Sequence, residues 1–448
     1  MNSWLIGLII IWLFTPITGY LIIPYFFYGT KSIKNRIIIV VLGDIGRSPR
    51  MCYHATSFAD KGFDVEFIGY KDSEIPDCIS KERKRSITIH DISYIAVNTK
   101  NKSVISIMVT KVFRQTFQLI KILWNLRGSD YILVQNPPSI PILPIACFYK
   151  FIFRTKLIID WHNFGYTILK LKLAKFHPFV IVYFMVEFIF SRFADYHLTV
   201  TNAMKDYLIQ TFKLPSKKIS TLHDRPGPQF KPLPEEDRCM LLSKNPPSFI
   251  SEYLQKANFK YGKDKILVTS TSFTPDEDLE VLLTGLKIFN QSYAKDTDQN
   301  LLCFITGKGP LKPYYQKKVN EMKLEHVKIY FLWLQSEDYP KLLQLCDFGV
   351  SLHMSSSGLD LPMKILDMFG SGIPVIAYSY DTLDELVKHG VNGYRFQNPR
   401  ILAESIGFIC NPNNYNTLRT NVLNESKIKW QSSWENSMIK ELKIVKQR

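Results

Sequence analysis

Two doubly wound parallel α/β domains in tandem are the fold class that this sequence predicts. Three observations carry the expectation: the length, an alternation of strand and helix patterns that runs twice, and a proline-rich stretch between the two runs. The chain has 448 residues, more than one hydrophobic core usually organises. The first alternation starts at IIIVVLG (Ile37–Gly43), a continuous β-branched run of the kind buried on both faces of a sheet. It continues through a helix near Arg50–Lys61, FDVEFIGY, YILVQN (Tyr131–Asn136), a helix near Ile142–Phe153, KLIIDWHN (Lys156–Asn163), YHLTVT, NAMKDYLIQTF and KISTLHDRP. Residues 228–262 contain PGPQFKPLPEED and KNPPSF and read as a linker. The second series runs through ILVTSTSF (Ile266–Phe273), LLCFITGKGP, VKIYFLW, FGVSLHM and PVIAY, with helical stretches between. The expected divisions are an apolar anchor over 1–30, a first domain over 31–227, the linker 228–262, a second domain over 263–428, and a terminal helix over 429–448. Whether that helix returns to the first domain stays open.

Trp4–Tyr28 is apolar, and no charge appears before Lys31. About 20 apolar residues cross a bilayer core. The segment lacks the basic start and small-residue exit of a cleaved signal peptide, so an uncleaved transmembrane helix is expected. Lys31, Lys34 and Arg36 follow it, which places the body on the cytosolic side. The body is globular by composition, with 46% hydrophobic and 21% charged residues. The formal net charge of +16 favours anionic partners. Nucleic acid is not among those expected, because no zinc-finger, basic-zipper or RNA-binding signature is present. Seven cysteines without a CxxC pair fit a reducing compartment with neither disulfides nor a zinc site. Two stretches, Pro138–Phe153 and His177–Phe193, are apolar but short for a span. They read either as buried core helices or as an interfacial face beside Lys150, Arg154, Lys170, Lys172 and Lys175.

Open parallel sheets bind ligands at the carboxyl ends of their strands, and five motifs fall there. GDIGRSPR (Gly43–Arg50) lacks the dinucleotide fingerprint. It offers Asp44, with Arg47 and Arg50 as partners for a diphosphate and Gly43 and Gly46 for close backbone approach. In IIDWHN, Asp160 and His162 are titratable groups, Trp161 is a face for sugar stacking, and Asn163 is a polar contact. HDRP supplies Arg225 for a departing diphosphate. The strand ends around Ser272 and ITGKGP, with Gly307 and Lys308, form a phosphate-binding turn. SSSGLDLPMKILDMFG places Ser357, Gly358 and Asp360 before a helix that starts near Pro362 and carries Lys364 and Asp367. A helix N-terminus attracts phosphate, and Asp367 suits ribose hydroxyls.

The loop, helix and following G-x-P-V resemble the nucleotide-sugar site of GT-B glycosyltransferases. Many retaining members carry two glutamates seven residues apart; here Asp367 takes the second place and Leu359 the first, with Asp360 one position off. GDIGRSPRM, IIDWHN-x-GY, VTNAM, DRPGP, TSTSFTPDED, ITGKGPLK-x-YY and SSSGLDLPMKILDMFG resemble, in order, the chitobiosyldiphosphodolichol β-mannosyltransferase family over nearly the whole chain. The resemblance implies a GT-B fold with two Rossmann-like domains and an interdomain cleft. It implies inverting transfer of mannose from GDP-mannose to GlcNAc2-PP-dolichol at the cytosolic face of the endoplasmic reticulum membrane, beside other early dolichol-pathway mannosyltransferases. No cofactor or metal is implied; the acidic run Asp276–Asp278 reads as a helix cap. Arg225, Lys308 and Lys364 would neutralise the departing diphosphate, and the base would come from Asp44, His162 or Asp160, in that order. A retaining α-mannosyltransferase, separable by product stereochemistry, and a non-catalytic membrane scaffold remain as alternatives.

Overall fold

The computed structural model describes residues 33–76, 79, 86–92, 104–274, 277–293, 299–335 and 337–444, with the backbone alone at 33, 34, 104–109 and 111. The expected anchor and Asp276 lie outside the described residues. Among the described residues no helix is long and apolar enough to cross a membrane. The chain forms two compact units, Met1–His223 with Ser433–Arg448, and Asp224–Ser432.

The first unit is built on a seven-stranded parallel sheet of order β3-β2-β1-β4-β5-β6-β7. The strands are β1 (Ile33–Asp44), β2 (Asp64–Tyr70), β3 (Ile87–Asp91), β4 (Ser129–Asn136), β5 (Lys156–Trp161), β6 (Tyr196–Thr199) and β7 (Ile219–Thr221). Ile37, Ile38, Ile39 and Val40 are wholly buried, with β2 and β4 in register on either side. The central strand is therefore apolar on both faces, as a doubly covered sheet requires. The order reverses between β1 and β4, the switch point at which such sheets open a crevice.

The end of the chain completes this unit. Helix Trp430–Glu435 is followed by a short π-helical turn, Asn436–Glu441. Trp434 is fully buried and sits edge-on to Phe58, with ring centroids 5.0 Å apart. Ser220 donates to Glu441 at 2.6 Å, Ser437 to the Thr221 carbonyl at 3.2 Å, and Tyr131 to the Ile444 carbonyl at 3.0 Å.

The second unit carries a six-stranded parallel sheet of order β10-β9-β8-β11-β12-β13. Its strands are β8 (Lys265–Ser270), β9 (Leu301–Thr306), β10 (Val327–Leu332), β11 (Phe348–Ser351), β12 (Val375–Tyr378) and β13 (Gly393–Phe396). Residues 228–262, read as a linker, instead belong to this unit. They form helices Glu235–Ser243 and Ser248–Lys256, whose Leu242, Ile250 and Leu254 pack on Ile266, Val268, Leu302 and Phe304. The prolines that gave the stretch its linker character stand at helix entries: Pro234 and Pro247 are the two N-caps. Arg238 is buried 3.0 Å from Asp347 and fastens the first of these helices to the sheet.

Trp434→Ala removes a wholly buried indole and is expected to destabilise the first unit by about 3–5 kcal/mol. Hydrogen exchange read unit by unit checks this: protection falls in β1 and helix Pro49–Asp60 and is retained in β8 and β9.

Candidate active site

In the first unit the chemistry gathers on a buried ion pair. Helix Pro49–Asp60 follows the loop after β1 and aims Arg50 and His54 at the end of β5. Arg50 Nε and Nη2 donate to Asp160 Oδ2 and Oδ1 at 2.8 and 2.9 Å, and Nη1 donates to the Leu222 carbonyl at 2.7 Å. Arg50, expected to meet an acceptor diphosphate, is thus buried and committed to Asp160. Asp160 is fully buried. Burial alone would raise its carboxyl, but the Arg50 charge, His162 and His54 hold it well below the usual carboxylate range. It is a fixed anion and not a proton acceptor.

Two imidazoles complete the cluster. His54 Nε2 lies 3.2 Å from Asp160 Oδ2, and its Nδ1 receives the Trp434 indole N–H at 3.1 Å. An indole only donates, so the His54 proton is on Nε2. Burial lowers the His54 pKa and keeps the ring neutral. His162 is about a quarter exposed, and its Nε2 lies 2.9 Å from Asp160 Oδ2. Because ionised Asp160 only accepts, His162 Nε2 carries a proton, and in the neutral ring Nδ1 is the acceptor.

The neighbouring candidates take other roles. Asp44 accepts from the Gly46 and Ser73 backbone N–H groups, both at 3.2 Å, and from the Ser73 hydroxyl. Although burial opposes it, these hydrogen bonds hold the Asp44 carboxyl below its ordinary value. Both oxygens tie the loop after β1 to the loop after β2. Gly46 serves the same junction, since a Cβ there would stand 2.6 Å from the Glu74 carbonyl oxygen; at Gly43 a Cβ meets only ordinary contact. Arg47 is largely exposed and donates to Ser73 at 3.2 Å. Trp161, expected as a stacking face for sugar, is wholly buried instead. It alternates with Asp160 across the pleat, packs beside Phe164 and Phe212, and donates to His197 at 3.2 Å. Asn163 caps locally, accepting from the Phe164 N–H at 2.7 Å.

The second unit assembles its own cluster at the switch point between β8 and β11. Lys364, in the first turn of helix Met363–Gly370, pairs with Glu277 from the loop after β8. Glu277 also accepts from Thr271 Oγ1 at 2.9 Å and from the Ser272 N–H at 2.8 Å. Burial opposes ionisation, but the Lys364 charge and these donors lower its pKa. Ser272 is exposed above this pair.

The glycines of the β9 turn are there for packing. Cβ atoms at Gly307 and Gly309 would fall 1.8 and 1.7 Å from the Thr271 and Ser272 carbonyl oxygens. They let the two strand-end loops touch. Lys308 is exposed and lies 3.7 Å over the Trp333 ring. Lys312 donates to the Gly307 carbonyl at 3.3 Å, and both burial and the Lys308 charge depress its pKa.

The serine loop is self-braced. Asp360 accepts from Ser355 and, at 3.2 Å, from Ser357, while His353 Nε2 stands 3.7 Å away. These partners outweigh burial and lower the Asp360 pKa. Gly358 turns at φ +73°. Asp367 differs: burial raises its carboxyl to about 7, with no charge among the described residues offsetting it. Arg225 is partly buried at the start of this unit, and burial lowers its pKa. Its neighbour Pro226 packs against Gly370, at the far end of the helix from Lys364, and the charges acting on Arg225 are Glu425 and Asp224.

Sequence reasoning missed His54, Glu277, Lys312, Trp333 and His353. The helical spacing of Arg50 and His54 was a readable signal for a shared face. Glu277 lay inside an acidic run that read as a cap.

Residues 251–420 match the family described as Glycosyl transferases group 1. The chitobiosyldiphosphodolichol beta-mannosyltransferase of Candida glabrata is 52% identical over 451 residues, covering 99% of this chain and 98% of its own. The enzymes so named from Kluyveromyces lactis and Mus musculus are 52% and 35% identical, covering 99% and 90% of this chain and 97% and 88% of theirs. Sucrose-phosphate synthase from Thermosynechococcus elongatus superposes with a TM-score of 0.61 at 14% identity, over 92% of this chain and all of that one. A glycosyltransferase from Rickettsia africae gives 0.58 at 14%, over 92% and 99%. The architecture is GT-B-like.

Asp160→Asn leaves Arg50 buried without its anion. Breaking such a pair costs about 3–5 kcal/mol. A lower urea midpoint for the first unit, reversed in part by pairing the change with Arg50→Met, is the expected result.

Proposed function

Because the chain belongs to the chitobiosyldiphosphodolichol beta-mannosyltransferase family, we propose that it moves mannose from GDP-mannose to the chitobiose of dolichol diphosphate, with His162 as base. The second unit takes the nucleotide and the first the acceptor. The observation that carries the reading is the Lys364–Glu277 pair at the head of helix Met363–Gly370, with Lys308 and Lys312 on the adjoining turn. Free N–H groups at a helix start favour an anion. The cations are placed to stabilise the charge that grows on a departing diphosphate. Glu277 fixes where the Lys364 ammonium stands. Asp367 accepts from the ribose hydroxyls, which relieves its unpaired carboxylate.

In the first unit, Asp160 and Arg50 orient His162, so that Nδ1 receives the proton of the acceptor's O4 as the new bond forms. Asp44 is replaced as leading base, because its oxygens already accept four hydrogens or charges from Gly46, Ser73 and Arg47. Arg47, exposed on the same loop, is the cation for the acceptor's diphosphate. The apolar segment Trp4–Tyr28, with Lys31, Lys34 and Arg36 after it, supports a single-pass anchor and a cytosolic body at the endoplasmic reticulum.

The test uses the full chain in nanodiscs with GDP-mannose and chitobiose on an isoprenoid diphosphate. Gain of one hexose, removable by β-mannosidase, supports the reading; a product resistant to β-mannosidase overturns it. In the same assay His162→Ala should lower kcat by about 10²–10⁴-fold while leaving GDP affinity within twofold.

A second readout concerns Asp367. Its carboxyl is neutral below about pH 7, and hydrogen bonds from ribose favour the charged form. GDP affinity should therefore fall from pH 8 to pH 6, with proton release on binding. Calorimetry in two buffers checks this, and Asp367→Asn should bind more weakly and lose that part of the pH dependence.

A further inference from the structure

Three helices of the first unit leave a continuous apolar face uncovered. Helix Val104–Asn125 exposes Phe113, Phe117, Ile120 and Trp124, a stripe at helical spacing in which Phe113 and Phe117 are 73% and 66% exposed. Beside it, helix Ile142–Phe153 exposes Phe148 and Phe151. The third, Pro178–Phe190, exposes Phe179, Ile181, Val182, Met185 and Ile189, and Phe193 follows it. The three lie against each other. Trp124 meets Phe153 at 5.5 Å, and Cys147 and Lys150 donate to the Phe190 and Phe193 carbonyls at 3.4 and 2.6 Å. A soluble surface rarely exposes so large a contiguous apolar patch without a partner.

The charge around the patch identifies the partner's chemistry. Arg114, Lys121, Lys170, Lys172, Lys175 and Arg192 are exposed along its edges. Among residues 104–125, 142–153 and 165–193 the single acid is Glu187, and it is fully buried. Glu187 is held by Asn136, Ser139 and the Gly165 N–H, with its carboxyl raised by burial. Asp195, just beyond, is partly exposed and paired with Lys150. An apolar surface fringed by cations, with no exposed acid on its helices, is complementary to an anionic lipid bilayer, with rings below the headgroups and cations among them.

We propose that this face lies in the membrane interface and holds the first unit against an anionic bilayer through contacts separate from residues 1–30. The inference rests on the lipid-linked acceptor of the proposed function. A lipid-linked diphosphate stays at headgroup level, so a first unit seated there meets its acceptor by diffusion in two dimensions. The split expectation for Pro138–Phe153 and His177–Phe193 is thereby resolved by face: Ile142, Ile145, Ile152 and Val180 are core, while Phe148, Phe151, Phe179 and Val182 form the contact.

The experiment places the photoreactive residue p-benzoylphenylalanine at Phe117, Phe148 or Val182 of the full chain. Met240, exposed in the second unit, serves as the reference position. Each protein is irradiated in nanodiscs of phosphatidylcholine with 30% phosphatidylinositol, and adducts are identified by mass. Lipid adducts at the three first-unit positions at least fivefold above Met240, falling when the anionic lipid is omitted, are the expected result. Lipid yields equal to that at Met240 overturn the proposal. Cross-links to a second copy, or to residues 1–30 of the same chain, in place of lipid also overturn it. The readout is independent of catalysis. Lipid adducts on a protein that transfers no mannose would leave this face established and the functional reading overturned. Phe117→Ser with Val182→Ser should lower turnover of a dolichol-linked acceptor in the nanodisc at least tenfold, with turnover of a short water-soluble isoprenoid acceptor unchanged.

Discussion

A single buried carboxylate organises the first unit. Asp160 is fully buried, and its charge is tolerated because Arg50 meets both oxygens and two imidazoles share one of them. The cost of burying such charges is repaid only by near-ideal geometry, so four parts of the chain must arrive together. Helix Pro49–Asp60 brings Arg50 and His54, β5 brings Asp160 and His162, and the strand end at Leu222 accepts the remaining Arg50 donor. The end of the chain brings Trp434 to fix the His54 tautomer. His162, about a quarter exposed, is thereby given a defined orientation, and closure of the fold and the geometry of the proposed base become one requirement.

The second unit solves a different problem with the same topology. In the proposed function its cations receive an anion, and they must also be held in place. Lys364 is fixed by Glu277, whose other contacts are to the Thr271 and Ser272 loop. Gly307 and Gly309 allow the β9 turn to approach that loop, which sets Lys308 and Lys312 nearby. No charge among the described residues offsets the burial of Asp367, whose carboxyl is raised to about 7.

Much of the fold was legible because buried parallel strands are written as unbroken β-branched runs. IIIVVLG, YILVQN and KLIIDW all fall on strands β1, β4 and β5, and the switch points follow from their order. The motifs at strand ends were legible as loops but not in their roles. Period-two alternation leaves open which face a residue takes, and Asp160 and Trp161 occupy opposite sides of one strand for different ends. Arg50 looked like a phosphate ligand because sequence does not show a partner 110 residues away. Proline at 234 and 247 reads equally as linker or helix entry, and the buried Leu242 and Ile250 decide it. A cation in a first helical turn is locally unfavourable, which made Lys364 stand out in the sequence; the structure places it in that turn and pairs it with Glu277.

In the proposed mechanism ionised Asp160, held by Arg50, turns His162 Nδ1 toward the hydroxyl that attacks. The most direct measurement is a structure of the full chain with GDP and a chitobiose diphosphate isoprenoid. The acceptor O4 is expected within about 2.6–3.2 Å of His162 Nδ1, with Arg50 still paired to Asp160. An O4 placed against Asp44 or another carboxylate, with His162 facing away, would contradict it.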